Sequence, residues 1–379
     1  MTCCRKFELP GRQWRENPLM PLRLETAFQD PQVEAARAWR SAHFFRENFL
    51  RNLLVAALLS FGLASVHAAP ACLTECTPRI GIVSAFGQEA DILVAQTRAP
   101  HTWIINGNRF TTGVLRGNPV VIVLSGVSMI NSAMVTQLMV DHFKVQRLVM
   151  SGIAGGVNPV HHVGDVIVPD RWAMPLEVFW NRDGALPAAC GKAADVSCLG
   201  LKLAEADGKP VPPFNGLFMR ENHVRTAANG AAGEFRFDYP VDPAMLAVAR
   251  AIKPALSRCG PKAVKSPGAA PDPALCVKTE PQVIVGGRGV SGSAFLANPQ
   301  YRTYLFEQLQ AQTFEMETAA LAHVAYANAI PYIAFRSLSD LAGAEEFNPD
   351  AVALFASGLA ETNEAAVTLA FLDGWHHRH

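Results

Sequence analysis

Short apolar segments alternate with longer amphipathic segments from residue 79 to the C-terminus, which is typical of an α/β domain. Strands are predicted where short apolar runs are bounded by turn residues, at 80–83, 110–115, 120–124, 147–150, 165–168, 282–285 and 332–337. The turn Arg116-Gly117-Asn118-Pro119 joins two of these strands as a hairpin. Helices are predicted at 129–143, with Ser128 as the N-cap, and at 301–310, 316–328 and 350–372.

The pattern is interrupted between residues 171 and 280, where proline, glycine, alanine and lysine replace the apolar runs. Such a composition predicts turns and irregular chain. We interpret 171–280 as a loop-rich insertion within one domain that spans residues 69–379.

The N-terminal segment carries a processing signal. Arg46 and Arg51 precede the apolar run 53–63, and Ser65-Val66-His67-Ala68 follows it. A basic region, a short apolar stretch and a small-x-small site predict a signal peptide, with cleavage after Ala68. The run is shorter than the ~20 apolar residues of a membrane span. Residues 1–68 are thus expected to be removed from an exported protein, periplasmic or secreted, and the true start codon is expected nearer Met20.

Composition and charge narrow the function classes. Half of the 379 residues are hydrophobic and 17% are charged, which fits a globular domain with one sizeable core. Lysine plus arginine equals aspartate plus glutamate, 33 each, so no strong field attracts nucleic acid or an acidic membrane. A small neutral or zwitterionic ligand fits this balance better.

Six cysteines follow the predicted cleavage site, and an even number in an oxidising compartment indicates disulfides. Their spacing favours local pairs, Cys190 with Cys198 and Cys259 with Cys276. A zinc site is the alternative, although none of the six belongs to a C-x-x-C motif.

Glu317 is the first candidate for chemistry. In a helix over 316–328 it would share a face with Ala320, Leu321 and Val324, and would point into an apolar environment. A buried carboxylate is costly unless something binds it, so a structural partner or a polar ligand is expected. Glu315 is expected to face elsewhere.

Polar side chains also follow the predicted strands. Asp340 and Glu89 lie just beyond two strand ends, and Ser125 directly ends a third. Ligands of open α/β sheets bind beyond the carboxyl ends of the strands. Each acid could instead be a helix cap, and Arg336 could simply pair with Glu317 or Glu315. Their joint order and spacing favour a shared site.

Taken together, the motifs resemble those of the purine nucleoside phosphorylase and methylthioadenosine/S-adenosylhomocysteine nucleosidase family. The resemblance covers nearly all of residues 79–372 outside the insertion. It is carried by RIGIVSA (79–85) leading to Glu89, LSGV (124–127), SGIAGG (151–156), GDVIV (164–168), SGSAF (291–295), FEME (314–317) and FRSLSD (335–340). It implies a three-layer α/β/α sandwich with a mixed central sheet, a homodimer, and no cofactor or metal.

The resemblance also implies roles for individual residues. Asp340, oriented by Ser339, is the expected acid that protonates N7 of a purine, and Glu89 is expected to activate water with Ser125 and Arg336 nearby. The other expected contacts are with the substrate. Glu317 would bind the ribose hydroxyls, Met316 would pack under the sugar, and Phe295 would stack on the base beside Leu296. Phe86 and Gly126 are further candidates for substrate binding.

The implied reaction is hydrolysis of an adenine thionucleoside, methylthioadenosine or S-adenosylhomocysteine. Members of the family that use phosphate carry an arginine where this chain has Met150, and a phosphate dianion needs clustered arginines or backbone donors. The alternatives are a phosphate-dependent purine nucleoside phosphorylase and a non-catalytic nucleoside-binding or storage protein. The family's nucleosidases commonly have aspartate at the position of Ser293, and they lack the long insertion. The identity of the 5′ substituent is therefore left open.

Overall fold

The computed structural model describes residues 72–182, 185–343 and 349–378. The predicted signal peptide and its cleavage site after Ala68 lie outside these residues. In the part of the chain that is described, no helix is both long and apolar enough to cross a membrane.

The strands of the described chain are numbered in order. They are β1 Glu75–Ser84, β2 Arg98–Ile105, β3 Asn108–Leu115, β4 Asn118–Leu124, β5 Phe143–Gly156, β6 Val166–Val168, β7 Arg171–Ala173, β8 Val178–Trp180, β9 Glu205–Ala206, β10 Lys209–Pro210, β11 Leu217–Met219, β12 Asn222–Val224, β13 Glu234–Arg236, β14 Asp238–Pro240, β15 Val283–Val285, β16 Arg288–Ser291, β17 Ala311–Glu315 and β18 Tyr332–Asp340.

The α-helices are α1 Gly87–Gln96, α2 Met129–His142, α3 Pro243–Ala251, α4 Pro299–Leu309, α5 Thr318–Ala327, α6 Pro349–Phe355 and α7 Leu359–His376. Short 3-10 helices lie at Ser197–Leu199, Pro261–Ala263 and Pro273–Leu275.

The central sheet is mixed, and its order is β14-β7-β16-β17-β5-β1-β4-β3-β2. The strand β18 pairs with β5 and β6, and β6 also pairs with β15. The pairs β1–β5 and β5–β18 are parallel, whereas β17 runs antiparallel to β5. Consecutive side chains of a strand point to opposite faces. In β18 Phe335 packs on Phe371 of α7, and the next residue, Arg336, contacts Thr318 of α5. Helices therefore cover both faces, which confirms the predicted sandwich.

Local chemistry explains several elements. The hairpin of β3 and β4 turns at Arg116 and Gly117, whose φ angles of 49° and 79° suit a tight hairpin turn. In α4 the side chain of Asn298 accepts from the backbone N–H of Tyr301, and Pro299 occupies the first turn. Ser128 precedes α2 as predicted, but its side chain does not cap the helix. Its φ of 89° lies outside the extended range that is usual for an N-cap residue.

Several predictions of secondary structure need correction. The strands β2, β16 and β17 and the helix α1 were not predicted, and β5 continues to Gly156 through a glycine-rich segment that resembles a turn. The helix predicted at 316–328 begins only at Thr318, because β17 ends at Glu315. The last predicted helix is two helices, α6 and α7, separated at Gly358, whose φ is 82°.

The region 171–280 is more ordered than its composition suggests. Its strands β7 and β14 extend the edge of the central sheet, and β7 runs parallel to β16. Trp172 and Tyr239, in the middle of these strands, are fully buried, and Met245 and Val248 of α3 join the same hydrophobic core. The remainder forms short hairpins and 3-10 turns, as expected for a proline-rich segment.

Disulfides close two loops of this region. The structure places the sulfurs of Cys190 and Cys198, and those of Cys259 and Cys276, at bonding distance, as the spacing predicts. Cys72 and Cys76 form a third pair.

Candidate active site

A cavity of about 240 Å³ lies beyond the carboxyl ends of β1, β5, β17 and β18. This is the edge at which open α/β sheets bind ligands. The predicted site residues that line it are Phe86, Glu89, Phe295, Leu296, Met316, Glu317, Ser339 and Asp340. Three acids that are far apart in sequence therefore meet around one hollow.

Three predicted residues do not line this cavity. The hydroxyl of Ser125 donates to the carbonyl oxygens of Ser84 and Gly126, so it is engaged at the end of β4. Gly126 itself turns the chain with a φ of 80°. Arg336 is fully buried behind the acids. These residues shape the site without facing its interior.

Glu89 is held by backbone N–H groups at the start of α1. Its carboxylate accepts from Ala85 at 2.6 Å, from Phe86 at 3.1 Å and from Ile153 at 2.9 Å, while Arg336 lies at 3.8 Å. Burial raises the pKa of Glu89, and the guanidinium and the three N–H groups only partly oppose that shift. The result is a fixed carboxylate of increased basicity at the cavity wall.

Arg336 lies at the centre of an acidic cluster. Its guanidinium binds the carboxylate of Glu315 and the hydroxyl of Thr318, and lies 3.5 Å from Glu317. It also donates to the carbonyl oxygen of Ile153. The alternative interpretation, in which Arg336 pairs with Glu317 or Glu315, is therefore confirmed. The guanidinium is bound by neighbouring glutamates. Its charge offsets theirs rather than facing a ligand.

The position of Glu317 corrects the helical-face argument. Glu317 is buried, but as the N-cap of α5, at the junction with β17, and not within the helix. Glu315 does not face elsewhere: it is buried, accepts from the backbone N–H of Glu317 and Thr318, and binds the hydroxyl of Ser291. Because β17 precedes the helix, both carboxylates approach Arg336.

Glu317 faces the cavity with an unusual proton affinity. One of its oxygens accepts the backbone N–H of Ser128 at 2.7 Å, which explains the turned conformation of Ser128. Burial, and then the neighbouring charge of Glu315, raise the pKa of Glu317 to about 7. The carboxyl group is therefore poised between its two protonation states near neutral pH.

Asp340 projects into the cavity because β18 is irregular there. The register of β18 against β5 shifts between Leu338 and Asp340, and such a bulge can re-aim a side chain. The hydroxyl of Ser339 donates to Asp340 at 3.0 Å and the N–H of Ala342 donates at 2.8 Å. Burial nevertheless raises the pKa of Asp340. This environment favours an acid that retains its proton at higher pH than usual.

The rest of the cavity is mostly apolar, and several of its residues were not predicted. They are Ala85, Val127, Ile153, Ala154, Gly155, Ala294, Phe314, Ala342 and Phe355, together with the acid Glu315. Phe355 belongs to α6, and the sequence offered no sign that this helix reaches the site. Ser293 lies at the edge, where its hydroxyl is 3.1 Å from that of Ser128.

Gly152 shows why β5 carries a glycine-rich segment. A Cβ on this residue would overlap the guanidinium of Arg336 and the carboxylate of Glu89. Only glycine allows both charged groups to approach the strand so closely. The motif SGIAGG thus encodes room for charged side chains rather than a turn.

A further acid, Glu364, lies below the site on α7. It is fully buried, and its carboxyl group binds the hydroxyl of Ser151 on β5, which also contacts Thr368 at 2.7 Å. Burial raises the pKa of Glu364 well above its usual value. The sequence carried one sign of this cluster, since Glu364 and Thr368 are four residues apart and share one face of the helix.

Comparison with known sequences identifies nucleosidases among the proteins to which this chain is similar. The chain is 25% identical over 271 residues to the 5'-methylthioadenosine/S-adenosylhomocysteine nucleosidase of Bacillus cereus (strain G9842), which covers 70% of this chain and 87% of that protein. A nucleosidase of the same name from Bacillus thuringiensis (strain Al Hakam) is 24% identical, with the same coverage.

Solved structures share the fold. The S. pneumoniae 5'-methylthioadenosine/S-adenosylhomocysteine nucleosidase, bound to the transition-state inhibitor MT-ImmA, superposes with a TM-score of 0.52 at 23% identity, over 79% of this chain and 100% of that one. The futalosine hydrolase of Helicobacter pylori gives 0.51 at 17% identity, over 81% and 99%.

The sequence model of the phosphorylase superfamily matches residues 79–373, which include every strand of the central sheet beyond the first residues of β1. The match contains each acid that lines the cavity. The chain therefore belongs to the phosphorylase superfamily.

Proposed function

We propose that this protein is an N-glycosyl hydrolase that uses water to release adenine from a thionucleoside, methylthioadenosine or S-adenosylhomocysteine. The observation that carries the proposal is the meeting of Glu89, Glu317 and Asp340 around one small cavity. The names of the 24–25% identical relatives support the same class of reaction.

Asp340 is the general acid in this proposal. A leaving purine gains negative charge as its bond to C1′ breaks, and a proton delivered to N7 neutralises that charge. Burial raises the pKa of Asp340, so more of the acid form is present near neutral pH. The hydroxyl of Ser339, at 3.0 Å, fixes the direction of the carboxyl group.

The other two acids act on the sugar side. Glu317, as a carboxylate, would accept hydrogen bonds from the ribose hydroxyls. Glu89 would take a proton from the attacking water, because its raised pKa makes it a better base and three backbone N–H groups fix its position. Phe295 and Met316 supply apolar surface for the base and the sugar.

The lining of the cavity, which does not include Met150, favours water over phosphate as the nucleophile. Met150 is buried in the core of β5 and does not line the cavity. Among the described residues that do line it there is no lysine or arginine, and the guanidinium of Arg336 is bound by glutamates. A phosphate dianion would therefore meet carboxylates without a cationic partner.

A second copy of the chain is the proposed partner. Val127, Ile130 and Met134 are exposed at the start of α2, Ile130 to 78%, and Val127 also lines the cavity. An apolar patch of this kind beside a site favours a protein interface. Analytical ultracentrifugation should give a homodimer, and a monomer at all concentrations would oppose this assignment.

Export is proposed as well. Three cysteine pairs at bonding distance are typical of proteins from oxidising compartments. The signal-like segment that ends at Ala68 supports the same location. N-terminal sequencing of the secreted or periplasmic protein should begin at Ala69, and retention of residues 1–68 would contradict cleavage.

A panel of nucleosides tests the substrate class. Methylthioadenosine, S-adenosylhomocysteine, adenosine, inosine and futalosine would each be incubated with the protein, and release of the free base would be followed by chromatography. We expect adenine release to be fastest from the two thionucleosides. Tight binding without release from any of them would indicate a nucleoside-binding protein instead.

A further inference from the structure

A disulfide-closed loop of the 171–280 region, residues 259–276, packs near the candidate active site. Cys259 and Cys276 are joined by their sulfurs and also form a β-bridge. Inside the loop the N–H of Asp272 donates to the carbonyl oxygen of Ala263 at 2.8 Å, and Ala263 is fully buried. We call residues 259–276 the clamp loop. Its internal bonds make it a compact unit.

The clamp loop grips the junction between α6 and α7. The Nζ of Lys262 donates to the carbonyl oxygen of Ala356 at 2.6 Å, and the backbone N–H of Lys262 donates to that of Ser357 at 3.3 Å. Gly260 packs so closely on Ser357 that a Cβ there would overlap its hydroxyl and carbonyl oxygens. Both hydrogen bonds are to backbone carbonyl oxygens, so they fix the path of the chain.

The junction that the clamp loop contacts comes directly after a residue of the cavity wall. Phe355, the last residue of α6, lines the cavity, and Ala356, Ser357 and Gly358 follow it. Ser357 is itself buried and its hydroxyl accepts the first N–H of α7. The helix α6 otherwise contacts β18 and α7. A displacement of the junction would therefore move Phe355 relative to the acids.

From these contacts we infer that the clamp loop is a positioning element that holds Phe355 against the bound substrate, and that the Cys259–Cys276 disulfide maintains it. Phe355 is an apolar residue of the cavity wall and has no group that takes part in the reaction. Its displacement is expected to weaken binding of ground state and transition state equally, which raises KM and leaves kcat nearly unchanged. This kinetic readout rests on the proposed function.

The first test compares two disulfide variants. The double variant Cys259→Ser/Cys276→Ser opens the clamp loop, and Cys190→Ser/Cys198→Ser opens the other disulfide of the same region, none of whose residues lines the cavity. Hydrogen–deuterium exchange would be measured on peptides that cover residues 352–358, because local opening appears as loss of amide protection. We expect exchange there to become about tenfold faster in the first variant only.

The kinetic readout uses the same two variants with methylthioadenosine. We expect KM to rise at least about fivefold in Cys259→Ser/Cys276→Ser, with kcat within about twofold of wild type, and neither constant to change in the control. Equal exchange and equal KM in all three proteins would overturn the inference. If wild-type protein releases no adenine, the proposed function fails, but the exchange data still decide whether the clamp loop orders the junction.

A milder pair of variants protects the test against misfolding. Lys262→Met removes the bond to the carbonyl oxygen of Ala356 and leaves the disulfide intact. Lys265→Met is its control in the same loop. Lys265 is exposed, and its 3.9 Å ion pair with Asp272 stays within the clamp loop. Faster exchange over 352–358 in Lys262→Met alone supports the inference. The same change in both variants, or in neither, contradicts it.

Discussion

At the scale of single residues, burial is what turns ordinary acids into candidate catalysts. Glu89, Glu317 and Glu364 are nearly or fully buried, and burial is the leading cause of each raised pKa. Asp340 follows the same rule. One guanidinium, Arg336, faces several carboxylates, so the cluster cannot hold every charge equally well. Burial therefore raises the proton affinity of each of these acids.

Removal of the general acid should slow the chemical step. Asp340→Asn keeps the size of the side chain but cannot deliver a proton, so adenine release is expected to fall about 10²- to 10⁴-fold. The loss should appear in kcat, measured by chromatography of released adenine. The control Asp141→Asn changes an exposed aspartate on α2 and should retain wild-type turnover. Near-normal turnover by Asp340→Asn would reject the acid assignment.

Glu317 should make substrate binding depend on pH. With its pKa raised to about 7, the carboxylate that accepts the ribose hydroxyls forms as pH rises from 6 to 8, so KM is expected to fall over that range. Glu317→Gln should have a KM higher by about tenfold or more at pH 8, because hydrogen bonds to a charged group are lost. Its KM should also vary little with pH. Parallel KM profiles for the two proteins would refute the role of Glu317.

The sequence predicted which acids form the site more accurately than it predicted the elements that hold them. Glu89 follows β1 and Asp340 is the last residue of β18, and runs of apolar residues predict both strands. Glu317 was correctly expected to be buried, but for a reason that proved wrong, since it precedes α5 rather than lying on it. The burial of Glu315 did not follow from the helical pattern. Only the alternative that paired Arg336 with Glu317 or Glu315 pointed to it, because the contact joins β18 to β17 across distant segments.

At the scale of elements, the long strand β5 organises the site. It pairs with β1, β18 and β17, the strands whose ends carry the acids or lead to them. The strand core was predictable from its apolar residues. Its extension through the glycines of SGIAGG was not, because glycine normally weakens a strand, and here the need for space beside Glu89 and Arg336 outweighs that preference.

The helix α7 offers a test of the buried acid beneath the site. The pKa of Glu364 is higher in the folded protein than in the unfolded chain. The stabilisation from its neutral carboxyl group is therefore fully present below the pKa of the unfolded chain, and it is lost as pH rises through the pKa of the folded protein. Glu364→Gln remains neutral, so its melting temperature relative to wild type should rise with pH between 5 and 9. The expected gain in melting temperature at the alkaline end is a few degrees.

The control for this measurement is Glu307→Gln, an exposed glutamate on α4. Calorimetry across the same pH range should show no trend for this variant. If Glu364→Gln is destabilised equally at every pH, the carboxyl group of Glu364 is ionised in the native protein and the interpretation of its burial fails.

At the scale of the whole molecule, the 171–280 region is part of the fold and not an appendage. Trp172 and Tyr239 bury their side chains in the main core, and the clamp loop reaches the junction that follows Phe355. Composition alone could not reveal this, because prolines and glycines dominate the region and the buried strands are only three residues long.

The central claim is hydrolysis at a cavity that is lined by Glu89, Glu315, Glu317 and Asp340 and, among the described residues, by no lysine or arginine. The most direct measurement is the identity of the sugar released from methylthioadenosine, determined by mass spectrometry with and without excess phosphate. We predict free methylthioribose in both cases, at the same rate, and almost none from Glu89→Gln. A sugar 1-phosphate, formed only when phosphate is present, would contradict the account.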